Sequence, residues 1–143
     1  MACKPTVVIV PGAWHSPVHY DSLISFLKAA GYPTVSHKLP SVDTTTPSTT
    51  TAQGDAQAIV EKVLTPLLND GKDVVLVAHS YGGSPGGAAA NGLSKAERAT
   101  SGLQGGIIGL VWIAALVAPN NVSLLQLIGG KFNDWVDLDV CVQ

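Results

Sequence analysis

The stretch VVLVAHSYGG, Val74 to Gly83, drives β-branched and small residues straight into a hydroxyl flanked by residues that tolerate a tight bend. Within it, Ala78-His79-Ser80-Tyr81-Gly82 has the pattern small-x-Ser-x-Gly, which suits a serine perched on a sharp strand-to-helix turn. Positions two residues either side must be small because the turn folds them together; Ala78 stands where glycine is commoner. Such a bend lifts the Ser80 hydroxyl clear of a sheet and aims the next N–H, that of Tyr81, at any oxyanion formed there. The chemistry that needs these parts is nucleophilic attack on an acyl carbon. A second donor is expected from PGAWH, after the run Thr6 to Val10: Ala13 N–H comes alongside if the two strands are neighbours, and Gly12 leaves the backbone room to approach. Trp14 and His15, in the same loop, are candidate substrate contacts.

A serine hydroxyl attacks poorly unless a base takes its proton, and a third group must hold that base. The histidines are His15, His19, His37 and His79, and none follows Ser80. His79 lies inside the turn and is expected to pack rather than to face the hydroxyl. His15 is a substrate contact before it is a base, while His19 and His37 read as surface residues. Asp134, Asp137 and Asp139 are acids without a histidine to orient, so solvated charges are the expectation.

The elements that must position these groups follow from periodicity. Thr6 to Val10 is apolar on both faces, as in a covered parallel strand. Ser16-Pro17 provides an N-cap and first-turn proline, Tyr20, Leu23, Ile24 and Leu27 recur at helical spacing, and Gly31 stops the helix. Thr34 to Lys38 predicts a short strand, and the threonine-rich Ser41 to Thr51 a solvated loop. From Asp55 a helix is expected, with Ala56, Ile59, Val60, Val63, Leu64, Leu67 and Leu68 on one face, kinked or frayed by Pro66 and ended by Gly71. Then come a strand at Val74 to Ala78, a glycine-rich helix from about Gly82 to Arg98, and a strand at Ile107 to Leu116 buried on both faces. Alternation of this kind predicts an α/β fold, a mostly parallel sheet with helices on both faces and its chemistry at the carboxyl ends of the strands.

At 143 residues one domain is expected, and 46% hydrophobic against 13% charged residues means that much of the chain expects cover. A net charge of -2 with scattered Lys and Arg offers no field for nucleic acid. Cys3 and Cys141 form no ligand pattern, so neither a metal nor a disulfide framework is expected. No cofactor is expected either, because the glycines at 82, 83, 86 and 87 fit neither phosphate-binding spacing and suit close helix-to-sheet packing instead. Neither a signal peptide nor a membrane span is read, and a cytoplasmic protein is the expectation. Trp14, Trp112 and Trp135 are candidates to line a pocket, with packing as the default.

IVPGAWHSP followed by VVLVAHSYGG resembles the amino-terminal half of an α/β-hydrolase, in the branch that holds plant methyl esterases, hydroxynitrile lyases and related fungal and bacterial hydrolases. The likeness runs through LVWIAALVAPNNVSLLQL, similar to the strand entering that family's cap, so that residues 119–143 would begin a cap-like segment. It implies Ser80 as nucleophile, Ala13 and Tyr81 as oxyanion donors, and a fold truncated before the catalytic histidine, with Asp134, Asp137 or Asp139 able to supply a carboxylate. Esterase-type hydrolysis of a small hydrophobic ester, with a base from another chain, is the reading it favours. A degenerate member binding a small hydrophobic ligand or a partner, or lyase or cyclase chemistry in the same pocket, are the alternatives. The strand at Ile107 to Leu116 would be left as an apolar edge, to be covered by a second copy, a domain swap or the other half of a longer product.

Overall fold

Strand β1, Thr6–Val10, is buried along its whole length, which its β-branched residues favour on both faces of a pleat. The computed structural model describes residues 4–119 and 121–132. Cys3, Asp134, Trp135, Asp137, Asp139 and Cys141 lie outside the described residues. β1 pairs in parallel with β2, Thr34–Ser36, on one side and with β3, Asp73–His79, on the other. β3 pairs in parallel with β4, Gly106–Ile113, giving the order β2-β1-β3-β4.

Alternation along the strands sorts side chains between two helical layers. Val7, Ile9 and Val77 face Leu23, Ile24 and Leu27 of α1, Asp21–Ala29. Val8, Val10, Leu76 and Ala78 face the other way, onto Ile59 of α2 (Ala52–Ile59), Leu68 of α3 (Thr65–Asn69) and Ala89 of α4 (Gly83–Ala90). Helices therefore cover both faces, as the periodicity predicts. α1 is entered through a 3-10 turn at Pro17–Tyr20 that carries a capping box between Ser16 and His19.

Four expectations need correction. The second long helix starts earlier than Asp55: Thr51 caps α2 by accepting from Gly54 N–H at 3.0 Å. Pro66 neither frays nor breaks it. Val60–Leu64 widens into a π-helical turn in which Thr65 N–H reaches the Val60 carbonyl, absorbing the missing proline donor before α3 continues. The helix expected from Gly82 to Arg98 is two: α4 ends at Ala90, Gly92 takes a φ of 72°, and α5, Lys95–Thr100, starts afresh behind a Ser94/Glu97 capping box.

The fourth correction concerns β4. Only Gly106 and Ile107 are buried, while Ile108, Leu110, Val111, Trp112 and Ile113 are 38 to 49% exposed. The strand also stops at Ile113 rather than Leu116. Its inner edge pairs with β3, but among the described residues no strand lies on its outer edge. α6, Leu124–Leu127, follows it as a single capped turn with no buried residue.

Candidate active site

The register Val10↔Ala78 brings the ends of β1 and β3 to the same rim, so the loops that leave them are neighbours. Ser80 sits there with φ 51°, a left-handed conformation that costs a non-glycine residue about 1–3 kcal/mol and persists only where its surroundings enforce it. Three contacts do so. Gly82 is pressed onto the carbonyls of Val10 and Pro11, so that a methyl group there would stand 2.7 Å from the Val10 oxygen. Gly83 lies equally close to the segment after β4: a methyl there would meet the Leu116 oxygen at 2.7 Å. Leu116 N–H in turn donates to the Ser80 carbonyl at 2.8 Å. The small residues around Ser80 are thus a steric requirement set by two other strands' exits.

Gly12 closes the site from the β1 side. A methyl group on it would come within 3.2 Å of Ser80 Cβ, 3.1 Å of His15 Nδ1 and 3.0 Å of His79 Nδ1, so all three side chains converge on its bare α-carbon. Ala13, half-buried, is the next residue, and Trp14 follows with φ 60° and 77% exposure. Ser80, Ala13, Tyr81, Trp14 and His15, all singled out from the sequence, therefore share one rim.

Tyr20 organises the imidazoles. Its hydroxyl accepts the Gly12 N–H at 2.9 Å and lies 2.8 Å from His79 Nδ1 and 3.4 Å from His15 Nδ1. The two rings stack at 5.4 Å between centroids. Burial raises the Tyr20 phenol above its ordinary value, partly opposed by the Gly12 amide. His79 is in this way tied into the α1 face, in line with a packing role. His19 is exposed and bonds only within its own capping turn, and His37 is exposed.

Tyr81 points to the opposite layer. Its hydroxyl donates to Asp55 Oδ2 at 2.7 Å, and Asp55, fully buried, also accepts Ser41 N–H at 2.9 Å and Ser41 Oγ–H at 2.6 Å. Burial first, then the Asp55 carboxyl, pushes the Tyr81 phenol well above its usual range. Sequence reasoning passed over Asp55, Ser41 and Tyr20 as site residues. The available signal was an acid four residues before Ile59, on the stripe of the helix that faces the core.

A groove of about 720 Å³ opens beside the elbow, between the start of α4 and the exit of β4, walled by Gly83, Ser84, Gly87, Leu110, Val117 and Val122. Trp112 approaches it, its ring 3.6 Å from where a methyl on Gly87 would stand. A second cavity of about 430 Å³, against Leu68, Gly71, Arg98 and Gln104, lies at the opposite end of the sheet from Ser80. Among the described residues no three His, Cys, Asp or Glu side chains are grouped to hold a metal ion, and no helix is long and apolar enough to cross a membrane.

Comparison with known proteins agrees with this frame. Residues 7–138 match the family described as Alpha/beta hydrolase family. The chain is 36% identical over 121 residues to Alpha/beta hydrolase nvfD of Aspergillus novofumigatus (strain IBT 16806), covering 85% of this chain and 47% of that protein. It is 28% identical over 128 residues to Probable hydrolase R7 of Phoma sp. (strain ATCC 20986 / MF5453), covering 90% and 49%. It thus spans about half the length of these curated relatives. Among solved structures, a polyneuridine aldehyde esterase mutant superposes with a TM-score of 0.64 at 21% identity, over 85% of this chain and 44% of that one. An extracellular alpha/beta-hydrolase from a Paenibacillus species, described as sharing structural and functional homology with Tobacco Salicylic Acid Binding Protein 2, gives 0.60 at 21%, over 81% and 42%.

Proposed function

The chain belongs to the alpha/beta hydrolase family, and from that premise we propose that Ser80 is the nucleophile of an esterase-type acyl transfer on a small hydrophobic ester. The observation that carries this reading is the left-handed backbone of Ser80 at the carboxyl end of β3, beside the loop that leaves β1. Ser80 Oγ bonds to the ester carbonyl carbon as its proton passes to a base. The carbonyl oxygen, now negative, takes hydrogen bonds from Ala13 and Tyr81 N–H. Collapse expels the alcohol, which takes up the proton, and water then hydrolyses the acyl-serine. Trp14, largely exposed at the rim, offers the apolar wall, and His15 beside it the polar contact.

The base, in this reading, is brought to Ser80 by whatever covers β4, whether a second copy, a swapped segment or the other half of a longer product. Support for this lies in the exposed apolar face of β4 and in the engagement of His79 by Tyr20. Incubation with a fluorophosphonate probe tests the reading: labelling of the folded protein that disappears in Ser80→Ala supports it. A folded, concentrated sample that takes up no label removes hydrolysis by this chain. That outcome favours the ligand-binding alternative, in which Ser80→Ala leaves affinity for a small apolar ligand unchanged.

A further inference from the structure

We propose that Asp55 is a positioning residue for the Ser80 turn, acting through the Tyr81 side chain with Ser41 as its counter-anchor. The proposal rests on the reading of Ser80 and Tyr81 given above. Asp55 is fully buried, and its two oxygens take three hydrogen bonds: two from Ser41 (N–H and Oγ–H), whose loop follows β2, and one from Tyr81, the residue after Ser80. Burying a carboxyl group is costly unless its lone pairs are met, and an apolar pair of the same volume would pack at least as well. What the polar arrangement adds is direction: two bonds from Ser41 hold the Asp55 carboxyl in place, and one from Tyr81 Oη–H ties the Tyr81 ring to it.

The ring and the Tyr81 N–H belong to one residue, so fixing the first constrains the second. The peptide between Ser80 and Tyr81 is held from the opposite side by Leu116 N–H on the Ser80 carbonyl, and from beneath by Gly82 on the β1 carbonyls. Asp55 supplies the remaining constraint from the core. Its place in the first turn of α2 favours an acid there, since the helix N-terminus is the positive end of its dipole. Without the Tyr81 hydroxyl, the strained turn keeps its steric walls and loses its tether.

The deciding variants are Tyr81→Phe, which removes one oxygen, and Asp55→Asn. Amide hydrogen exchange at residues 80–83 is expected to accelerate at least about tenfold in both, the scale of one lost charge-assisted hydrogen bond, with β1 and α1 unchanged. Equal protection at 80–83 in Tyr81→Phe and wild type overturns the proposal, and so does a uniform loss across β1, β3 and α1. Should Asp55→Asn not fold, Tyr81→Phe alone decides. In the same variants the maximal rate of fluorophosphonate labelling is expected to fall about tenfold at unchanged half-saturation. A wild type that does not label sinks the hydrolase reading, while the exchange comparison still tests the tether.

Discussion

At Ser80 the backbone is strained whichever side chain is present, as long as it has a β-carbon. Ser80→Gly is therefore expected to be more stable than Ser80→Ala by about 1 kcal/mol in denaturant melts, reversing the usual glycine penalty. Gly82→Ala works the other way: its methyl would collide with backbone oxygens that cannot yield, and a loss of more than about 3 kcal/mol, or failure to fold, is expected. The raised Tyr81 phenol gives a third residue-scale expectation. Its hydroxyl stays protonated in the fold at a pH where the unfolded chain has begun to ionise near 10, so its contribution is complete below that pH and lost above it. Stability measured from pH 9 upward should fall, and fall less steeply in Tyr81→Phe. That Ser80, Ala13, Tyr81, Trp14 and His15 gather at one rim was legible at this scale, because turn sterics leave a local signature; their chemical roles belong to the proposal above. Asp55, Ser41 and Tyr20 were not, since their partners lie far along the chain and only folding brings them together.

The strands show how position, not composition, decides what a side chain contributes. Leu76 on β3 and Leu110 on β4 are register partners, yet one is wholly buried and the other 43% exposed. Leu76→Ala is expected to cost about 2–5 kcal/mol by chemical denaturation and Leu110→Ala under about 1 kcal/mol. A Leu110→Ala cost approaching that of Leu76→Ala would mean that β4 is covered in solution. Strand types and parallel pairing were readable from hydrophobic runs, but a run alone does not say whether neighbours exist to bury it. Helix boundaries were misjudged for a different reason. The glycine-rich helix was read straight through Asn91 to Ser94, and the break there rests on one left-handed glycine and one capping box. Removing that cap by Ser94→Ala should cost about 1 kcal/mol in the same melts.

For the whole molecule, the dominant fact is the apolar outer strand β4, which among the described residues has no strand on its outer edge. β4 carries no charge and no proline, the usual guards of a free edge, and its apolar residues continue into Val117, Val122, Leu125 and Ile128. Light scattering over a range of concentrations is expected to show self-association, and Val111→Lys to reduce it; a monodisperse monomer at high concentration would contradict an edge in need of cover. One hydrogen bond gives this edge a wider meaning. The amide of Leu116, three residues beyond the strand, grips the carbonyl of Ser80, and Ala114 between them is itself left-handed, at φ 44°. Anything that docked along β4 would therefore bear, through this bond, on the serine's own main chain, and labelling of Ser80 is expected to respond to whether the open side is filled.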